Sequence, residues 1–461
     1  MDGSRTQVGR PSWGRELTQI LFLAAPLAAA QLAQMGMGIT DTVMMGRVSS
    51  EALAAGGLGA NVAFLLIIVG QGLVASIQPI VAQARGAADH SGFGRTLAAG
   101  LIVSVLASIP IVLILTHIDV LLDALAEPAR IGGLALDYER AFAWGVPAGM
   151  LQFALRNYLS ALERPRIIMA VVMTAFLANL GLNWVLVFGH LGFPALGLGG
   201  AGYATAIVWW GMFASFALYL HRARLVPADL FRLGWAETGR GLGAVLELGW
   251  PIAGSYLVEC GLFSASSVLM GWFGPVALAA HQICLNISSF TFMVPLAISQ
   301  AATVRVGFHV GSGELPRARV AGFAALALGT GFMLAMAAVI TSLSQPLFHV
   351  YLDAADPDLD AVLALGGQMI VLAALFQMFD GAQVVAAGAL RGLQDTKAAL
   401  IVGAFGYWGL GMPIGAGLAF GLGLGPIGLW WGFVGGLVAV ALPLSLRFGQ
   451  RMGRMIAAGS R

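Results

Sequence analysis

Three carboxylates, Asp41, Glu259 and Asp380, stand inside long apolar stretches of this 461-residue chain. An ionisable side chain at membrane depth costs about 2.5–3.5 kcal/mol on insertion scales, so one that persists faces a protein interior or a watery cavity and has a task. The task these three suggest is binding cations or protons within the bilayer. Gln377 and Gln383 stand three residues to either side of Asp380. Carboxylate with amide oxygen suits a hard cation such as Na⁺. A carboxyl in an apolar cavity suits H⁺ equally, because desolvation favours its neutral form. Gln34 lies seven residues before Asp41, two turns along one helical face. Asn179 and Asn183, one turn apart, could complete a pocket with them. His281, Gln282 and Asn286 form a further polar patch, and a single histidine without a second His or Cys nearby is not a metal site. Pro26 and Pro251 precede Asp41 and Glu259, and each removes a backbone hydrogen bond and can bend its helix. Phe263, Met293, Phe376, Met378 and Phe379, near the acids, suit a cavity for aromatic ligands.

The elements that must carry these residues are membrane helices. With 59% hydrophobic and 10% charged residues and a mean hydropathy of +0.86, the chain is far from the roughly 25% charged content of soluble domains. Apolar runs of about 20 residues, long enough to span, recur at 17–41, 52–82, 96–116, 133–160, 167–189, 199–221, 242–270, 276–308, 320–343, 361–390, 398–420 and 426–446. The expected fold is an all-α integral membrane protein of twelve transmembrane helices. Placing both termini in the cytoplasm puts all but Arg47, Arg130 and Arg140 of the 24 Lys and Arg residues on the inner side, among them Arg5, Arg10, Arg156, Arg391 and Arg461. That is the expected bias of short cytoplasmic loops. The outer connections are acidic, with Asp119, Asp123 and Glu127 after the third span and Asp353, Asp356, Asp358 and Asp360 after the ninth.

The chain also repeats itself. An offset of 225 carries Pro26 onto Pro251, Met45-Gly46 onto Met270-Gly271, Asn61 onto Asn286 and Gly86 onto Gly311. Two pseudo-symmetric six-helix lobes follow, 1–221 and 241–461, joined by a cytoplasmic linker at 222–240 that holds Arg222, Arg224, Arg232 and Arg240. Both lobes begin on the same side, a parallel arrangement found in transporters whose substrate site lies between the repeats. The acids break the symmetry: Glu259 falls on Gln34, Asp41 on Ser266 and, at an offset of 228, Asp380 on Gln152. The lobes are therefore not expected to bind a coupling ion equivalently.

Other readings fail on context. Gly197-x-Gly199-x-x-Gly202 and Gly423-x-Gly425-x-x-Gly428 spell a dinucleotide fingerprint, but membrane helices flank them where a strand is needed. They are read as glycines that open spans. A net charge of +2, with arginines spread over short loops, points to topology and anionic lipid contact rather than nucleic acid. Cys260 and Cys284 are packing residues. The N-terminal arginines, the apolar run and Ala28-Ala29-Ala30 mimic a signal sequence, read here as a retained anchor. With no Ser/His/Asp set, Walker loop or metal cluster, neither an enzyme nor a cofactor is expected, and an ion gradient must supply the energy.

Gln31-Leu-Ala-Gln34 with Ile39-Thr-Asp-Thr-Val-Met-Met-Gly46, Pro147-x-x-Met150-Leu-Gln152 with Arg156, Asn179 with Asn183, Pro251 with Glu259, and Phe379-Asp380-Gly381-Ala-Gln383 running on to Gly388-Ala-Leu-Arg-Gly392 span nearly the whole chain. Together they resemble the multidrug and toxic compound extrusion (MATE) family, in its NorM-type bacterial branch. The resemblance implies alternating access and export of cationic, often aromatic drugs in exchange for Na⁺ or H⁺ by a monomer in the bacterial inner membrane. It also implies a coupling-ion site, with possible Na⁺ binding, at Glu259 and Asp380, and a polar site in the first lobe at Asp41, Asn179 and Asn183. The competing readings are a lipid-linked oligosaccharide flippase of the same superfamily, which should show a basic central cavity, and a gated cation channel.

Overall fold

The computed structural model describes residues 12–124, 129–227, 230, 234–352 and 357–459. Arg5, Arg10, Glu127, Arg232, Asp353, Asp356 and Arg461, singled out above for their charge, lie outside the described residues.

The described chain is helical and crosses twelve times. The first crossing is α1 (Trp13–Val48). The second is split at Ser76 into α2 (Ser50–Ala75) and α3 (Ile77–Gly86), and the third is α4 (His90–Thr116), followed by short α5 (Ile118–Ala124). The fourth is broken into α6 (Ala129–Ala143) and α7 (Val146–Ala161), and the fifth and sixth are α8 (Pro165–Phe188) and α9 (Gly197–Arg222). Then come α10 (Trp235–Gly271), α11 (Pro275–Gly311), α12 (Leu315–Ser342), short α13 (Ser344–His349) and α14 (Leu359–Gly392). The eleventh crossing comprises α15 (Thr396–Ala404), a π-helical stretch Phe405–Gly411, α16 (Met412–Ala416) and a second π-helical stretch Gly417–Gly421; the twelfth is α17 (Gly425–Gly459). Eleven crossings are long and apolar enough to span by composition alone. The fourth falls short because it is interrupted at Trp144-Gly145 and carries Asp137, Glu139, Arg140 and Arg156.

One turn recurs between crossings. Ala88, Glu163, Arg224, Gly313 and Gln394 adopt positive φ, and each following N–H reaches back five residues, as Asp89 to the Ala84 carbonyl (2.9 Å) and Glu314 to that of His309 (2.9 Å). This is a Schellman-type stop that satisfies the last helical carbonyls. Ala88 and Gly313 are 225 residues apart, so the sequence repeat is a repeat of backbone geometry.

Two apolar cores dominate. One draws on residues between Leu27 and Leu220, with Val245 and Ala297, and the other lies within 262–452. Helix α1 belongs to both halves. Its residues Ile20, Leu23 and Ala24 pack with Ile298, Ala301 and Val385 of α11 and α14, whereas Leu27, Ala30 and Ala33 join the first core. Pro26 sits where this allegiance changes, a position at which the lost backbone hydrogen bond gives the helix freedom to bend.

Candidate functional site

Between the halves lies a cavity of about 990 Å³ whose walls include Gln34, Asp41, Phe64, Tyr138, Arg156, Thr205, Trp209, Ser255, Tyr256, Glu259, Phe263, Asn286, Met293, Gln383, Arg391 and Tyr407. That volume lies at the upper end for small-molecule sites.

In the first half, Asp41 is held from two helices. Asn183 Nδ2 donates to Oδ1 at 2.7 Å and Asn179 Nδ2 to the same oxygen at 3.2 Å, while Thr205 Oγ1 of α9 donates to Oδ2 at 2.9 Å. The one-turn spacing of the asparagines aims both amides at one carboxylate. Gln34 does not join this pocket; its Oε1 accepts from Arg156 Nη1 at 2.6 Å.

In the second half, the Gln383 amide nitrogen donates to Glu259 Oε1 at 3.1 Å and to Asp380 Oδ1 at 3.3 Å. A single amide therefore serves two carboxylates. Asp380 is buried, so two negative charges sharing so few donors call for a cation or a proton between them. Asp380 itself stands behind the cavity wall, with Glu259 and Gln383 in front. Tyr407 reaches the wall from the first π-helical stretch, a local unwinding often found where a site is built. Arg391, three turns beyond Asp380, donates to Tyr256 Oη (3.1 Å) and Ser299 Oγ (3.3 Å).

The remaining predicted residues divide. Asn286, Phe263 and Met293 line the cavity. Gln282 turns to Ser267 (3.2 Å) and is exposed, Gln377 is buried and accepts from Thr291, and Phe376 is core. His281 is buried against Ser266 and Trp430. Ser255 Oγ donates to the Pro251 carbonyl at 2.8 Å, a local bond in α10. Gly197 and Gly425 open α9 and α17, as glycines at span starts should.

Arg156 and Arg391 require a correction. Counting them with the cytoplasmic loops left the cavity with acids alone, yet both are buried and line it. Their positions near helix ends satisfied the loop-charge rule, which is blind to a guanidinium turned inward. Thr205 was also missed: a single hydroxyl in an apolar span usually bonds its own helix, so nothing in the pattern marks it.

At the opposite end of α1, Glu16 receives Arg305 Nη2 at 3.0 Å and lies 3.1 Å from His309 Nε2. Arg305 Nη1 also meets Glu163 Oε1 at 3.2 Å, and Glu163 meets Arg85 at 3.2 Å. This cluster ties α1, α3 and the α7–α8 turn to α11. Asp41 is 25 residues from Glu16, about 37 Å along a helix, so cluster and Asp41 lie near opposite faces of the bundle.

The model of one family, MatE, matches residues 26–185 and 251–416. The chain belongs to the MatE family. The matched segments start at Pro26 and Pro251 and take in Asp41, Asn179, Asn183, Glu259 and Asp380. A multidrug resistance protein NorM of Burkholderia vietnamiensis is 40% identical over 99% of the chain and 98% of its own length. A probable multidrug resistance protein NorM of Mesorhizobium japonicum is 40% identical over 95% of each. Among solved structures, a Vibrio cholerae MATE transporter in its bent form matches with a TM-score of 0.84 at 18% identity, covering 96% of this chain and 98% of its own. A MOP-superfamily transporter of Pyrococcus furiosus, described as having reverse polarity in its binding pocket, matches at 0.85 and 19%, covering 95% and 96%. At such identities the structures show the shared twelve-helix fold. Members of this family are transporters, so the buried acids are not catalytic groups of an enzyme.

Proposed function

We propose that this chain is a multidrug exporter driven by exchange for Na⁺ or H⁺. Two bodies, 1–221 and 241–461 with 222–240 between them, rock about the central cavity. Glu259 and Asp380 bind the coupling ion, and Asp41 with Asn179, Asn183 and Thr205 forms the polar site of the first lobe. The observation that carries this reading is the Gln383 amide shared between Glu259 and Asp380 at the cavity wall. Loading that pair with a cation removes the repulsion between the carboxylates, so ion binding can bias one conformation over another. The proposed substrates are small organic cations and zwitterions with aromatic surface, facing Phe64, Trp209 and Phe263. The protein works as a monomer in the bacterial inner membrane, with both termini cytoplasmic and lipid headgroups on its arginine-rich ends.

The two cavity arginines favour a second reading, the lipid-linked oligosaccharide flippase, whose diphosphate needs a basic pocket. Arg391 is engaged by Tyr256 and Ser299, Arg156 Nη1 donates to Gln34 while its buried Nη2 has no partner among the described residues, and the acids Asp41 and Glu259 on the same cavity wall oppose both. Proteoliposomes loaded with an aromatic cation, given Na⁺ and H⁺ gradients separately, test the choice. Efflux driven by either gradient supports the exporter, and transport confined to anionic lipids refutes it.

A further inference from the structure

Glu139 of α6 is fully buried, and the exchange outlined above does not use it. Neither of its carboxyl oxygens has a hydrogen-bond partner among the described residues. Its head group occupies space left by Gly59 of α2, where a Cβ would lie 2.7 Å from Glu139 Oε1. The faces of α2, α6 and α9 meet here in an apolar cluster that includes Ala55, Tyr138, Leu198 and Ala201.

The elements packed against α6 bring no counter-charge to it. Glu51 of α2 is paired with Arg130 at 2.8 Å, and α5 contributes only the acids Asp119 and Asp123. Arg140, next along α6, is exposed, as are Tyr203 of α9 and His117 at the end of α4. Arg156 of α7 donates to Gln34 and makes no bond to Glu139, and Asp41 of α1 accepts from Asn183 and Thr205. An ionised carboxylate with neither donor nor counter-ion is disfavoured in such surroundings, whereas a protonated one carries no charge to desolvate.

We propose that Glu139 is a proton-binding site, filled in this conformation, and a second proton carrier of the first lobe beside Asp41. The proposal rests on the exporter reading. The two acids differ in a useful way: Asp41 has three polar donors and faces the cavity, while Glu139 has none and is sealed by α2. The helices that enclose Glu139 also supply cavity wall, Tyr138 and Phe142 from α6 and Ala60 and Ala63 from α2. A rearrangement of that wall therefore changes the enclosure of Glu139, and opening it to water releases the proton.

Infrared difference spectroscopy of the purified full chain at neutral pH reads the C=O stretch of protonated carboxyls, and E139Q should lose one such band. The amide replaces a neutral acid of the same shape, so E139Q should melt as the wild type does. In Na⁺-free proteoliposomes, simultaneous dye and drug-flux measurements should count one proton fewer per drug exchanged by E139Q. E139M, neutral and of similar length, gives the same two readouts should the amide variant accumulate poorly. An unchanged band overturns the proposal, and so does a lost band with an unchanged proton count. If wild-type vesicles exchange drug for no cation at all, the exporter reading fails, and the band still decides whether Glu139 holds a proton.

Discussion

Gly86 and Gly311, 225 residues apart in the sequence, meet across the two halves of the molecule. A Cβ on Gly86 would overlap the carbonyl oxygen of Phe308 in α11, and one on Gly311 would overlap that of Gln83 in α3. Each repeat thus supplies the glycine that admits the other's backbone, and α3 and α11 close together only because both side chains are absent. Gly86→Ala or Gly311→Ala should push these helix ends apart. Either variant is expected to lower the melting temperature of the solubilised protein and to make cysteines placed near Gln83 more reactive to a water-soluble maleimide. Unchanged melting and labelling would show that the contact is not tight.

Arg305 and Glu16 strengthen the same closure by charge. Both side chains are nearly buried, at 12% and 9% exposure, so Arg305→Met takes the guanidinium from Glu16 and leaves it His309, at a cost below the roughly 3–5 kcal/mol of breaking an isolated buried pair. Arg305→Met should therefore destabilise the protein more than the double variant Arg305→Met/Glu16→Leu. A double-mutant cycle on thermal stability gives the coupling, and additive effects would dissolve the pair.

How far the site was legible in advance depended on how unusual each residue is for its surroundings. Asp41, Asn183, Glu259, Asp380 and Gln383 stood out because polar groups on apolar helices need partners, and they have found one another. The turn shared by Ala88 and Gly313 recurs at the same offset of 225 as the repeat read from the sequence. Arg156 and Arg391 did not stand out, since arginines near span ends are ordinary and only the packing turns them inward. The break at Gly145 does carry a signal, Pro147 in the first turn of α7, where proline opens a helix, and treating 133–160 as a single span passes over it. Gln282 and Gln377 show the converse, amides read as part of a pocket that instead bond Ser267 and Thr291 on neighbouring helices, away from the cavity wall.

The shared amide makes the coupling pair sensitive to either partner. Glu259→Gln and Asp380→Asn remove a charge while keeping shape, so both variants should reach the membrane at normal abundance and lose gradient-driven export at least about tenfold, the factor that 1.4 kcal/mol of lost ion binding produces. Flux assays in vesicles decide, and export retained by both variants sinks the assignment.

Asp89 caps α4 outside the spans. Its Oδ1 accepts from Ser91 Oγ at 2.7 Å and from the Gly92 N–H at 3.1 Å, and Arg95 approaches Oδ2 at 3.3 Å. The Ser91 hydroxyl above all, then Gly92 and Arg95, holds this carboxyl below the usual aspartate value against a smaller opposing effect of burial. A lowered folded value means that the stabilisation is present above the unfolded value and disappears as pH falls through the folded one. Asp89→Ala should cost about 1 kcal/mol at neutral pH, in keeping with a lost N-cap. The gap between variant and wild type should close in strong acid. A gap that is constant down to that range would assign the loss to packing instead.

Asp41 offers the sharpest separation of the two lobes. It lies in the first half, held by Asn183 and Thr205, while Glu259 and Asp380 share Gln383 in the second, and the cavity lies between. If the first lobe serves drug or proton and the second the metal cation, Asp41→Asn should impair drug transport while leaving Na⁺ affinity nearly unchanged. Thr205→Val removes one donor to Asp41 and should give a milder loss of the same kind. Asp380→Asn should weaken Na⁺ binding first. Exchange further requires that drug and ion favour different conformations, and linkage makes that antagonism reciprocal: saturating drug must weaken the ion by the factor by which the ion weakens the drug. Paired equilibrium titrations on wild type and Asp41→Asn measure both factors. Equal losses of Na⁺ affinity in Asp41→Asn and Asp380→Asn would refute the division between lobes, and independent binding of drug and ion would refute the exchange.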